Sequence, residues 1–187
     1  MENRRMGIRG RRRFSNRNGG SMDNKIIHAF YGKGKGKTSA AIGQAVRDVK
    51  DGERVTIIQF LKGKESKEFG ILSKLEPEVQ FFRFDRSETA YRDLSIEEKE
   101  EEKQNILNGV HFARKVIETG ESNIIVLDEL LGVLDMGVLD MESIIELLTT
   151  EGDYRKLYVT GNILPEELMK YFNVISEIDL KKDEIVQ

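Results

Sequence analysis

The chain has no cysteine and no tryptophan, only two prolines and only two histidines. Without cysteine there is no disulfide framework and no thiolate metal site, a composition that fits a reducing cytosol, so a cytoplasmic location is expected. His28 and His111 lie far apart in sequence, away from any carboxylate cluster, and read as a core or surface pair rather than a metal centre. No apolar run approaches the roughly 18 residues of a membrane-spanning helix.

What is there is a chain of 187 residues, 39% hydrophobic and 34% charged, long enough to bury one sizeable core. Its net charge of −3 hides an asymmetry. Residues 1–21 carry seven arginines and one glutamate, a balance of +6, so the rest carries −9. This basic arm has almost no apolar residues and is expected to be disordered and outside the functional unit, with nucleic-acid binding disfavoured. Translation is expected to start at Met22, where "MDNKIIHAF" opens a single domain spanning residues 22–187.

From there the pattern alternates. Strands are expected at 25–31, 53–61, 78–84, 123–129, 155–161 and 174–180. Helices are expected at 38–50, 66–75, 95–118, 142–150 and 165–172. Ser95 and Glu98 form a capping box before the longest helix and Gly120 follows it. The acidic run "EEKEEEK" is a solvated helix face. Residues 84–95 read as a loop long enough to carry function. The alternation predicts a three-layer α/β domain with a mostly parallel sheet of five or six strands, its ligands at the carboxyl ends of the strands.

Two motifs fall at such ends. "YGKGKGKTS" (31–39) lies between an expected strand and an expected helix and reads as a phosphate-binding loop one residue shorter than G-x-x-x-x-G-K-[ST]. Gly32, Gly34 and Gly36 allow backbone N–H groups to turn toward an anion, and the helix start adds positive potential. Lys37 reaches phosphate oxygens, the Thr38 hydroxyl is a Mg²⁺ ligand, and Lys33 and Lys35 add charge at the mouth. "IIVLDE" is an apolar strand ending in Asp128 and Glu129, the carboxylate arrangement that holds Mg²⁺ opposite such a loop. Together they predict a P-loop NTPase-like, RecA-like domain. "YVTGN" (158–162) ends a strand at the same rim and, taken alone, reads as an ordinary turn.

These residues together resemble the P-loop ATP:corrinoid adenosyltransferase family. The family's short loop, G-N-G-K-G-K-T-[TS]-A-A, is matched by Gly32 to Ala41, and its helix runs on to an arginine, here Arg47. Its second strand, V-V-Q-F-[IL]-K-G, is matched by Ile57 to Gly63, and its L-D-E-[VL] by Leu127 to Leu130. The resemblance covers about residues 25 to 180. It implies transfer of the 5′-deoxyadenosyl group of ATP to the cobalt(I) of a corrinoid (cob(I)alamin or a precursor), with triphosphate released. It implies Mg²⁺ at Thr38, Asp128 and Glu129, and catalytic roles for Lys37, Thr38 and Glu129. Nucleotide contacts would come from residues 32–39 (Ser39 included), Arg47 and Asn162. Corrinoid contacts would come from Phe82, Phe84 and Tyr91. A reductase or reduced flavoprotein as electron donor, and a homodimer, are also implied. Rival readings are a P-loop ATPase or kinase transferring the γ-phosphoryl group, and a non-catalytic ATP-binding sensor.

Three positions depart from the family. Lys33 stands for the loop asparagine, Asn162 for the arginine of T-G-R, and no F-T-W follows the third strand. Restoring the positive contact with Asn162→Arg is expected to raise the turnover rate or lower the KM for ATP in steady-state kinetics; unchanged constants would mean another group fills that role.

Overall fold

In a computed structural model of the chain, which describes residues 25–61, 70, 72–85, 89 and 91–182, six strands lie side by side and every pairing is parallel. They are β1 (Ile26–Tyr31), β2 (Val55–Gln59), β3 (Val79–Arg83), β4 (Ile124–Asp128), β5 (Lys156–Gly161) and β6 (Val174–Glu177). Their order across the sheet is β3-β2-β4-β5-β1-β6. The expected mostly parallel sheet is thus a wholly parallel one of six strands. The basic arm and the start at Met22 lie outside the described residues.

Side chains alternate between the two faces with the period of a strand. Ile57, Ile124, Val126 and Tyr158 face one way, onto Ala41, Ile42 and Ala45 of α1 (Lys37–Asp48). Small residues here let the helix sit close to the sheet. Ile58, Ile125, Leu127, Leu157 and Val159 face the other way, onto Ile106, Val110, Ala113 and Ile117 of α2 (Ile96–Thr119). That second layer also contains α3 (Leu130–Asp135), α4 (Met141–Thr149) and residues around α5 (Glu166–Met169). Burial on both faces explains why β4 reads as an apolar run without alternation.

The caps follow the sequence closely. Ser95 accepts from the Glu98 N–H at 3.2 Å and Glu98 accepts from the Ser95 N–H at 2.8 Å, while Gly120 ends α2 in the left-handed conformation. Asp140 caps α4 through the Ser143 N–H. Other elements differ. The helix expected from Pro165 spans only Glu166–Met169, with Pro165 as an extended N-cap. Of the helix expected at 66–75, the described part is a 3₁₀ turn at Ser73–Leu75, and the rest lies largely outside the described residues. The expected loop 84–95 contains a second 3₁₀ turn, Tyr91–Asp93. α3 was not expected at all, because its N-cap is Glu129 at φ 63°, a left-handed residue with no capping side chain.

A polar lock closes the amino-terminal edge of the sheet. Asp48, at the end of α1, accepts from the Lys156 ammonium, from the Tyr158 hydroxyl at 2.6 Å and from Gln44 at 3.1 Å. Beside it Arg155 donates to both Glu53 oxygens and to the Asp48 carbonyl. Burial alone would raise the Asp48 carboxyl, but the hydrogen bonds from Lys156, Tyr158 and Gln44 and the Lys156 charge outweigh it and hold it well below the ordinary range. A depressed carboxyl contributes stability above the unfolded-state pKa and loses it as pH falls toward the folded-state value. Asp48→Asn is therefore expected to cost about 2 kcal/mol in urea unfolding at pH 7. The gap between wild type and variant should narrow below about pH 4; a gap independent of pH from 7 to 3 would contradict this.

Candidate functional site: a phosphate loop facing a carboxylate rim

The loop leaving β1 is shaped by backbone crowding. Gly32 has φ 119° and Gly36 has φ 105°, conformations that a side chain would strain. A Cβ on Gly32 would lie 2.4 Å from the Ile178 carbonyl oxygen, and one on Gly34 would lie 2.7 Å from the same atom. The segment after β6 therefore presses directly on the loop. The Gly34 N–H donates to the Ile178 carbonyl at 3.0 Å, and the Gly32 N–H donates to the Asn162 carbonyl at 3.1 Å. These two amides brace the loop rather than face a ligand, which refines the expectation that all three glycines turn their N–H groups to an anion.

Donors for an anion come instead from the start of α1. Its first intrahelical bond runs from the Ala40 N–H to the Gly36 carbonyl at 2.8 Å, so the amides of Lys37, Thr38 and Ser39 have no intrahelical partner. Gly36 caps the helix without a side chain. Lys37 is buried, and its ammonium folds back over the loop to donate to the Gly32 and Gly34 carbonyls at 2.8 and 2.9 Å. Lys33, Lys35 and Ser39 are exposed and Thr38 is half-buried.

β5 stands between β1 and β4 in the sheet, so the loop and the carboxylates face each other across about 10 Å, two strand spacings. Asp128 is fully buried. One of its oxygens accepts from the Thr160 hydroxyl at 2.8 Å and the other from the Gln59 amide at 2.7 Å. The Glu129 N–H donates in turn to Thr160 Oγ1 at 2.8 Å, which helps hold Glu129 in its left-handed conformation. The Glu129 carboxylate lies over Gly132 of α3, where a Cβ would come within 2.9 Å of it. Gly161 is required because a Cβ there would meet Leu131 at 2.3 Å. The tight turn of "VTG" is thus a seat for α3.

Thr38, Asp128 and Glu129 offer oxygen donors alone, a set suited to a hard divalent cation. Among the described residues no group of three histidine or acidic side chains gathers to hold a metal by itself. A cation at this rim would complete its shell with water or with oxygens of a bound ligand.

The remaining expected residues are placed differently. Arg47 lies about 15 Å along α1 from Lys37 and is exposed beside Asp48, so it is not brought to the loop. Asn162 reaches the loop through its backbone carbonyl while its side chain is exposed. Phe82 and Phe84 pack on Phe112 of α2, with ring centroids 4.5 and 5.5 Å apart, and both are half-buried. Gly109 makes room for the Phe84 ring. Tyr91 packs at the margin of the same core, and burial, then the charges of Glu100 and Glu102, push its hydroxyl up. Beside Phe84 a cavity of about 240 Å³ is lined by Arg83, Asp85, Asn105 and Asn108.

Gln59 and Thr160 carry no role in the sequence reading, yet both hold Asp128. Their signal was present in the Q-F and T-G stretches that match the family. Only the adjacency of β2, β4 and β5 turns those stretches into one rim.

A family model described as ATP:corrinoid adenosyltransferase BtuR/CobO/CobP matches residues 23–187. The corrinoid adenosyltransferase of Escherichia coli is 26% identical over 153 residues, covering 82% of this chain and 76% of that protein. The corrinoid adenosyltransferase CobA of Salmonella typhimurium gives the same identity and coverage. An uncharacterized protein of Nostoc is 27% identical over 81% of this chain, which spans 43% of that protein's length. Domain III of the Thermotoga maritima replication initiation protein DnaA overlays with a TM-score of 0.38 at 14% identity, over 83% of this chain and 55% of that one, a likeness too distant to carry weight. That family model spans nearly the whole chain, and the chain belongs to the ATP:corrinoid adenosyltransferase family.

Proposed function

We propose that this rim carries out ATP-dependent adenosylation of a corrinoid. Cobalt(I) of the corrinoid supplies an electron pair to C5′ of the ATP ribose. The Co–C bond forms, the C5′–O bond breaks, and triphosphate departs with the electrons of that bond. No proton need be moved by a side chain, so the protein's work is positioning and charge stabilisation.

The observation that carries this reading is the seat of Lys37. Its buried ammonium is held over the loop by the Gly32 and Gly34 carbonyls, the first amides of α1 have no intrahelical partner, and Asp128 and Glu129 end a strand two places away in the sheet. Charge growing on a leaving triphosphate would meet these donors. Lys33 and Lys35 raise the local positive potential at the mouth. Thr38, Asp128 and Glu129 are the residues that would hold Mg²⁺, which when bound neutralises phosphate charge. The braced loop supports the same reading. With the Gly32 and Gly34 amides already engaged, the loop needs little rearrangement as charge develops.

Phe82, Phe84 and Tyr91 stand at the β3 end of the rim, on the side away from the phosphate loop. Phe82 and Phe84, half-buried on Phe112, and the half-buried Tyr91 offer apolar surface on which a corrin face could rest and be kept from water. Cobalt must arrive reduced, so an external reductase or reduced flavoprotein is the partner this reaction requires. Among the described residues no helix is long and apolar enough to cross a membrane. A cytoplasmic location and a homodimer fit the reading.

Anaerobic incubation with ATP, Mg²⁺ and chemically reduced cobalamin or cobinamide is expected to give the absorbance spectrum of the adenosylated corrinoid; a spectrum unchanged over many enzyme equivalents would contradict the assignment. Lys37→Ala is expected to lower kcat about 100-fold or more by stripping charge from the leaving-group site. Near-normal turnover of a folded Lys37→Ala protein would mean that the loop does not hold the triphosphate.

A further inference from the structure

Gln59 and Asp128 end β2 and β4, Thr160 is the penultimate residue of the neighbouring β5, and none is exposed by more than 1%. Their hydrogen bonds have fixed directions. Because Thr160 Oγ1 accepts the Glu129 N–H, its proton goes to Asp128 Oδ1. Asp128 Oδ2 accepts a hydrogen bond from Gln59 Nε2. Both carboxyl oxygens of Asp128 are thus held by donors on the flanking strands. Turning the Gln59 amide over would set its oxygen against that carboxylate, so the amide has one allowed orientation.

That orientation leaves Gln59 Oε1 buried and without a hydrogen-bond partner. Buried acceptors of this kind are rare, and one at a ligand-binding rim points to a donor that arrives with the ligand. The atom belongs to the same amide group that grips Asp128, so the donor it meets lies beside that carboxylate. A water in the inner hydration sphere of a divalent cation fits, since Mg²⁺ keeps several of its waters and presents their protons outward.

We infer that Gln59 and Thr160 are positioning residues for a divalent cation–nucleotide complex. They hold Asp128 aimed from both sides, and Gln59 Oε1 accepts a hydrogen bond from a cation-bound water. The inference rests on the phosphate-site reading above and concerns binding rather than adenosyl transfer. Residues that orient a metal's ligands typically change metal affinity 10- to 100-fold when removed.

The test is calorimetric titration of the full chain with ATP, in excess Mg²⁺ and again in EDTA, for wild type, Gln59→Leu, Thr160→Val and Thr160→Ser. In wild type Mg²⁺ should strengthen ATP binding. That gain should shrink about tenfold or more in Gln59→Leu and Thr160→Val. It should survive in Thr160→Ser, which keeps the hydroxyl, and affinities in EDTA should stay at the wild-type value throughout. Wild-type affinity in both buffers for Gln59→Leu would overturn the inference. So would an equal loss with and without Mg²⁺, which would indicate direct contact between Gln59 and the nucleotide. Should Gln59→Leu fail to fold, the Thr160 pair decides: equal Mg²⁺-dependent gains for valine and serine overturn it. Wild type that binds no ATP overturns this inference and the phosphate-site reading together. Intact, cation-dependent binding that follows the expected pattern without adenosyl transfer would sink only the reaction.

Discussion

A carboxylate with no exposure to water is tolerated only where protein donors replace the solvent it has lost. Asp128 is such a group, and its two donors come from the strands on either side of its own. The consequence is structural as well as chemical. Gln59 ties β2 to β4, Thr160 ties β5 to β4, and the Glu129 amide is fixed through Thr160. With Glu129 fixed, α3 starts immediately, and Gly161 lets it lie against the end of β5. The carboxylate rim and the helix behind it therefore stand on one buried, hydrogen-bonded side chain.

The shortened loop has a comparable logic. Its glycines answer two separate demands. Gly36 supplies the left-handed turn into α1, while Gly32 and Gly34 admit the chain that follows β6. Residues nearly 150 positions apart thus meet at the loop, and the Asn162 carbonyl braces it from the β5 side. A loop held this firmly presents Lys37 and the start of α1 as fixed charge. Fixed charge suits a reaction in which the entire triphosphate leaves and nothing is gained by swinging a group into place.

Much of this was legible in the sequence, for reasons that can be named. The central strand β4 is apolar on both faces, so it stands out as a short continuous run. The capping box of α2 and its terminal glycine are local hydrogen-bond chemistry and appear as written. The phosphate loop and Asp128–Glu129 are local too. What escaped depends on neighbours that are distant in sequence. Gln59 and Thr160 become meaningful only when β2, β4 and β5 are adjacent, and that order is not the order of the chain. α3 escaped because its start is a strained glutamate rather than a capping residue. Arg47 is a different case: one helix length separates it from the loop that the family motif joins it to in sequence, and it sits at the opposite edge beside the Asp48 lock.

In the proposed reaction triphosphate leaves as a unit from a loop that in other respects resembles those serving γ-phosphoryl transfer. Phosphorus-31 NMR of the products formed anaerobically from ATP and reduced corrinoid distinguishes the two outcomes. Inorganic triphosphate is expected in amounts equal to the adenosylated corrinoid. ADP and orthophosphate as the products would contradict it.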